Sequence, residues 1–165
     1  MKIAVIGGGA SGLFAAAAAG QEGSHVVVLE RGKRVGKKIL ATGNGRCNMT
    51  NIYASTENYH GESPEFTEAA QDIFWTDKAI EFFEHAGVLT KVEEAGKVYP
   101  YSDTASSVLD ILRRECDKGG AETICGFDVK TVKKTGNVFS VESYDGRKIK
   151  ADKVIIACGG KAAPD

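Results

Sequence analysis

The chain has 165 residues, enough for one domain with a real core. Hydrophobic residues make up 42% and charged residues 26%, an ordinary balance for a globular chain. The net charge of -1 implies no global pull toward nucleic acid or an anionic membrane.

The first thirty residues organise the rest. Lys2–Ile6 is predicted as a buried strand that runs straight into Gly7-Gly8-Gly9-Ala10-Ser11-Gly12. The alanine-rich run Leu13–Ala19 has strong helix propensity, and Gly20 to Gly23 is expected to break it. His25–Leu29 is a second β-branched strand, and it ends in Glu30. In a strand, glycine turn, helix and strand of this kind each glycine has a task. Gly7 permits the tight turn, Gly9 lets a pyrophosphate approach the backbone, and Gly12 lets the helix pack close to the sheet. The free N–H groups and positive dipole end of the helix then face the phosphates. Glu30 lies about 20 residues past the glycines, where a carboxylate accepts hydrogen bonds from both ribose hydroxyls. The competing reading is a glycine turn in some other βαβ unit. An acid here, with no basic replacement, favours an unphosphorylated adenosine ribose, hence FAD or NAD rather than NADP.

After Glu30 the sequence turns basic, from Arg31 to Lys38, and Ile39-Leu40 forms a short apolar anchor. Ala41 to Asn51 is too rich in glycine and asparagine for a regular element and reads as a loop. Its backbone N–H groups, Asn44, Asn48, the Arg46 fork and the Thr42 hydroxyl give it a dense supply of donors, suited to a polar ring system or an anion. The basic run reads alternatively as a solvated surface loop. No aromatic residues interleave with its charges, which disfavours a nucleic-acid patch.

Asn51 to Ser63 looks irregular, and Pro64 to Phe74 is expected to hold a short helix. Thr76 is a candidate N-cap for a helix over Asp77–His85, which Gly87 ends. Val88–Val92 and Lys97–Tyr99 read as short strands around a turn at Glu94 to Gly96. Asp103 or Thr104 caps a helix running to Lys118, with Ala105, Val108, Leu109, Leu112 and Cys116 as a core-facing stripe and Gly119-Gly120 as its stop. Glu122–Cys125 is a strand of the parallel sheet. Phe127–Lys134, Val138–Tyr144 and Arg147–Lys150 form a three-stranded antiparallel meander, turned at Thr135-Gly136-Asn137 and Asp145-Gly146. Lys153–Ala157 returns to the parallel sheet and ends at Cys158-Gly159-Gly160.

The predicted fold class is therefore α/β. A Rossmann-like domain with a parallel sheet spans residues 1–165, with a helical excursion over roughly 60–118, a three-stranded antiparallel β-meander and no clean internal boundary. The cysteines, Cys47, Cys116, Cys125 and Cys158, form no C-x-x-C pair and read as reduced thiols of a cytoplasmic protein. The scattered histidines suggest no metal site. Met1-Lys2 enters a strand directly and no apolar run is long enough to span a bilayer, so neither a signal peptide nor a membrane partner is expected.

This order of elements resembles the FAD-binding half of glutathione-reductase-type flavoproteins. The run Lys37-Lys38-Ile39-Leu40-Ala41-Thr42-Gly43-Asn44-Gly45-Arg46-Cys47-Asn48 narrows the resemblance to the BaiN-like, or YhiN-like, NAD(P)/FAD-dependent oxidoreductases. The resemblance implies that Gly7, Gly9, Ala10, Ser11 and Gly12 hold the FAD pyrophosphate. Glu30 would bind the adenosine ribose, with Arg31 beside the adenine. It also implies that Lys38 and the stretch Thr42, Gly43, Asn44, Gly45, Arg46, Cys47 and Asn48 serve the flavin and ribityl end. Val129 resembles the position whose backbone meets adenine. Ala157, Cys158, Gly159 and Gly160 resemble the strand-end motif that closes over the dinucleotide, where the family usually has Thr in place of Cys158.

Members of that family are roughly twice as long or more, so the chain is expected to be the N-terminal portion of a larger flavoprotein. A further segment or partner chain would supply the C-terminal contacts. The resemblance implies hydride passing from NAD(P)H through FAD to an organic small-molecule acceptor, with the protein supplying orientation and electrostatics. The N–H groups of Gly43 to Arg46, and Arg46 itself, are candidates to stabilise negative charge on the reduced ring. The alternative for Arg46 is a structural fork that pins the loop. Asn44 and Asn48 could orient the flavin or satisfy turn backbone. No catalytic acid or base is assigned. Cys47 invites a redox-active thiol, because Arg46 and Lys37 could lower its pKa, but no second cysteine lies at C-x-x-C or similar spacing, so a packed loop thiol is the expectation. The functional alternative is a non-catalytic FAD- or NAD-binding module that needs a partner chain. A pure NAD-dependent dehydrogenase is disfavoured by the β-meander.

Overall fold

A computed structural model describes residues 1–61 and 65–160. In chain order the elements are β1 (Lys2–Ile6), α1 (Ala10–Gln21), β2 (His25–Glu30), α2 (Lys37–Ala41), β3 (Thr50–Asn51), α3 (Glu65–Ile73), α4 (Thr76–His85), β4 (Thr90–Val92), β5 (Lys97–Pro100), α5 (Ala105–Lys118), β6 (Glu122–Cys125), β7 (Val129–Thr135), β8 (Val138–Ser143), β9 (Lys148–Ala151) and β10 (Lys153–Ile156). Short 3₁₀ turns occupy Thr42–Gly45, Thr56–Asn58 and Glu94–Gly96. The expected helix start at Pro64, the end of the irregular stretch at Ser63 and the final Pro164-Asp165 lie outside the described residues. The chain divides into two compact units, Met1–Ile39 with Leu112–Asp165, and Leu40–Ile111.

The first unit is built on a four-stranded sheet of order β10-β1-β2-β6, with every neighbouring pair parallel. Its central strands are continuous apolar runs because both faces are covered. Ala4, Ile6, Val27 and Leu29 pack with Phe127, Val141 and Ala151, so one face is closed by the meander β7-β8-β9. Phe127 is fully buried, which contributes about 1.5–3 kcal/mol relative to exposure. Side-chain alternation turns Ile3, Val5, Val26 and Val28 to the other face, where α1 lies with Leu13, Ala16 and Ala17 buried. The Cys116 thiol on α5 donates to the Leu13 carbonyl at 3.2 Å.

α1 ends at Gln21, inside the expected Gly20–Gly23 break. A Cβ at Gly20 would meet the Gly119 backbone oxygen at 2.7 Å, so this glycine serves close packing. The chain then turns at Gly23, with φ +78°. The meander forms as predicted, except that β7 starts at Val129, two residues after Phe127, and has a register irregularity between Val129 and Thr131.

The second unit carries an antiparallel sheet of order β3-β5-β4. Thr50–Asn51 was expected inside a loop, yet Thr50 pairs with Val98 and Asn51 with Lys97 along the free edge of β5. That edge pairing, a tertiary effect, outweighs the poor strand propensity of asparagine. Thr76 is the first residue of α4, and Trp75 takes the N-cap position without a side-chain cap. The Trp75 indole N–H bonds the Ala54 carbonyl at 3.1 Å. Among the described residues no helix is long and apolar enough to cross a membrane.

Candidate functional site

In the first unit, the turn between β1 and α1 is fixed by close backbone packing. Gly7 has φ +107°, and a Cβ there would collide with the Ala157 carbonyl, which follows β10. A Cβ at Gly12 would drive into the Gly7 carbonyl oxygen, so helix and strand approach only because residue 12 has no side chain. Ala157 completes the contact by donating its N–H to the Ile6 carbonyl at 2.8 Å.

Gly9 differs from both. Its backbone is extended, with φ −84° and ψ −169°, open to any residue. A Cβ there would meet nothing within 4 Å. The fold itself therefore makes no demand for glycine at this position. Gly9 is also the N-cap of α1, and it provides no side-chain cap; the first turn has no acidic residue. Ala10 and Ser11 are exposed. Donors left over at the start of a twelve-residue helix, with open space in front of Gly9, fit an approaching phosphate.

Glu30, at the end of β2, is held facing this turn. Its Oε2 accepts the Gly8 N–H at 2.7 Å, and its Oε1 accepts the Gly32 N–H at 2.6 Å. A carboxylate has about four acceptor sites, so roughly two remain for further donors. The Gly8 carbonyl in turn accepts the Gly36 N–H at 2.8 Å, which folds the basic segment back over the turn. Gly126 donates its N–H to the Gly32 carbonyl at 2.9 Å, and Phe127 donates to the Glu30 carbonyl at 2.8 Å. Gly8, Gly32 and Gly126 were not singled out from sequence. The turn Gly126-Phe127 gave no signal, because only the pairing of β6 with β2 brings it to Glu30.

The other first-unit candidates lie as follows. Arg31 and Lys38 are exposed, and Val129 is half-buried against the core at the start of β7. Cys158 is an exposed free thiol, and Gly159, with φ +74°, is exposed after β10. Thus Gly7, Gly9, Ala10, Ser11, Gly12, Glu30 and Ala157 gather about one turn.

In the second unit, Thr42 to Asn48 forms a tight left-handed turn. Gly43, Asn44, Gly45 and Cys47 have φ of 55°, 56°, 84° and 63°. Left-handed Asn44 is tolerable; left-handed Cys47 is strained and persists only because its surroundings fix it. The Arg46 and Cys47 N–H groups close back onto the Gly43 and Thr42 carbonyls at 3.1 and 3.0 Å. Arg46 anchors the turn to the sheet. Its Nε bonds Asp103 at 2.8 Å, its Nη2 bonds Glu93 at 2.5 Å, and its guanidinium sits 4.2 Å over the Tyr99 ring. Lys91 closes the group, 2.6 Å from Asp103 and 3.1 Å from Glu93. The hydrogen bonds from Arg46 and Lys91 hold the Glu93 and Asp103 carboxyls below the usual carboxylate range. Burial pushes the Cys47 thiol up, partly offset by its hydrogen bond with Thr42, the opposite of an activated thiolate. Asn44 and Asn48 are exposed.

Among the described residues no group of His, Cys, Asp and Glu could hold a metal ion.

Over residues 1–165 the sequence matches the family of HI0933-like protein Rossmann domains. The chain belongs to that family. This HI0933-like domain is 44% identical to the 3-dehydro-bile acid delta(4,6)-reductase of Clostridium scindens, over 98% of this chain and 40% of that protein. It is 33% identical to the ribosomal RNA dihydrouridine synthase of Escherichia coli, over 97% of this chain and 40% of that protein. The chain therefore spans about two fifths of the length of these relatives. Its fold is similar to that of Thermovibrio ammonificans THI4, with TM-score 0.61 and 17% identity, over 98% of this chain and 58% of that one.

Proposed function

We propose that the first unit holds the adenosine diphosphate half of FAD. The pyrophosphate would rest on the N-terminus of α1 at Gly9, Ala10 and Ser11, and the ribose on Glu30. The observation that carries this reading is the open, uncapped position of Gly9 beside a carboxylate already aimed by the Gly8 N–H. The N–H groups of Gly43 to Arg46, with Thr42, Asn44, Cys47 and Asn48, are proposed to serve the flavin end, on the resemblance of the Lys37–Asn48 run. Lys38, Arg31, Val129, Cys158 and Gly159 remain candidate contacts on the same ground. Arg46 directs donors at Glu93 and Asp103, so its proposed part is to hold the turn rather than to meet an anion.

For the whole protein we propose a flavin-dependent reductase. FAD, when bound, supplies a two-electron carrier between NAD(P)H and an organic acceptor. The names of the two relatives support one acceptor class. One denotes reduction of ring double bonds in a 3-oxo bile acid, the other saturation of the uracil ring to dihydrouridine. Each is a carbon–carbon double bond conjugated with a carbonyl, electron-poor at the carbon that would take hydride. The chain's own residues would bind and orient the cofactor; the residue that delivers the proton is not among those assigned.

The test is anaerobic addition of NADH or NADPH to the full-length protein. The reading expects bleaching of the flavin absorbance, then its return on adding an enone or a uridine-containing RNA. Bound flavin that neither nucleotide bleaches would instead support a non-catalytic binding module.

A further inference from the structure

We propose that Arg147, held by Asp145, is a positioning residue for the ribose-binding carboxylate of Glu30; this rests on the placement of the adenosine ribose at Glu30 argued above. Arg147 sits between β8 and β9, far along the chain from the glycine turn. Its guanidinium donates to the Gly126 carbonyl and lies 4.9 Å over the Phe127 ring. The bracket is directional. Nε and Nη2 of Arg147 reach the Asp145 carboxylate at 2.8 and 2.6 Å, and Asp145 also accepts the Arg147 N–H at 3.1 Å and the Ser143 hydroxyl.

The bonds that continue from this bracket lead to Glu30. Gly126, whose carbonyl Arg147 holds, is in the left-handed region at φ +67° and donates its N–H to the Gly32 carbonyl. Phe127, under the guanidinium, donates to the Glu30 carbonyl. Gly32 and Glu30 are the residues at either end of the bond from the Gly32 N–H to Glu30 Oε1. Gly126 and Phe127, held by Arg147, therefore clamp the main chain on both sides of Arg31 and fix where the Glu30 carboxylate points. The same residues also close the turn between β8 and β9, where the Ser143 N–H bonds the Arg147 carbonyl at 3.0 Å, so the test must read the ribose contact and not stability alone. The hydrogen bonds from Arg147 and Ser143 hold the Asp145 carboxyl below the usual carboxylate range.

The experiment measures, in the full-length protein stripped of nucleotide, binding of ADP and of 2′-deoxy-ADP by titration calorimetry. The ratio of the two affinities reports the ribose contact and is insensitive to a general loss of stability. We expect a clear preference for ADP in the parent protein, lost in Glu30→Gln. We expect Arg147→Met to lower the preference at least threefold, Arg147→Lys to restore part of it, and Arg147→Met to have no further effect in the Glu30→Gln background. An unchanged preference in Arg147→Met, with the preference lost in Glu30→Gln, would overturn the positioning role and leave the ribose site standing. No preference in the parent, or none lost in Glu30→Gln, would overturn the ribose site and the positioning role together. If Arg147→Met does not fold, Asp145→Asn carries the same comparison.

Discussion

The first unit holds the turn Gly7–Gly12 by backbone contact: residues 7 and 12 are glycine because the Ala157 and Gly7 carbonyls stand where their side chains would be. The second unit holds the turn Thr42–Asn48 by four charged side chains, Arg46, Lys91, Glu93 and Asp103, around an aromatic ring. The difference lies in what each arrangement leaves available. Packing carbonyls against glycines leaves the donors at the start of α1 turned outward. The charge group is self-neutralising, two cations with two carboxylates, and leaves Arg46 little capacity for a further anion. A glycine-rich stretch is thus no uniform signal of phosphate binding: one of these turns points donors at solvent, and the other uses its arginine to hold itself together.

The sharpest way to break this contrast is a pair of substitutions in the first turn. Gly12→Val forces a side chain into the Gly7 carbonyl, and we expect a loss of about 3 kcal/mol or more, read as failure to fold or a collapse in thermal stability. At Gly9 an added Cβ meets no protein atom within 4 Å, so for Gly9→Val the melting temperature should hold while FAD uptake is abolished. Equal destabilisation by both would mean that Gly9 is structural too. A smaller effect is expected at the acid: Glu30→Ala should weaken FAD binding by about 1–3 kcal/mol in a fluorescence titration, as ribose hydroxyls lose their acceptor.

Substitutions in the second turn should act locally. Arg46→Met should speed hydrogen exchange at the Arg46 and Cys47 amides while the strands of the parallel sheet keep their protection, because the group it breaks is partly exposed and screened by salt. The pH dependence has a definite sign. Glu93 and Asp103 titrate below their ordinary range, so their contribution is complete above about pH 5 and fades as the pH falls through their lowered values. Lys91 is raised by its bonds to Asp103 and Glu93, so its contribution is complete below its ordinary value and fades only at more alkaline pH. Resonances of the Tyr99 ring should therefore stay fixed across neutral pH and move first on the acid side. The mildest probe is alkylation followed by mass spectrometry. Exposed Cys125 and Cys158 should react first, with Cys47 slow and Cys116, pushed up to about 11 chiefly by burial, slowest.

Much of the first unit was legible because its rules are local. The period of the apolar residues, the glycine spacing, Glu30 at the end of β2 and the hairpin turns at Gly136 and Gly146 can each be read within a few residues. The parts that escaped depend on neighbours distant in sequence. The packing role of Gly20 escaped, since nothing nearby in sequence reveals Gly119 beside it. Thr50–Asn51 looked like loop, since its partner β5 lies more than forty residues on. The donors of Thr42–Asn48 were visible, but the fate of Arg46 was not: Glu93 and Asp103 meet it only once β4 and β5 have paired. The bracket of Arg147 on Gly126 was hidden in the same way.

The central claim is that the first unit is a cradle for FAD. The most direct measurement is the visible spectrum of the purified full-length protein, with identification of the nucleotide released on denaturation. The account predicts a flavin spectrum with FAD released from the parent, and a folded, colourless Gly9→Val variant. A folded parent protein that carries no flavin and takes none up from added FAD would contradict it.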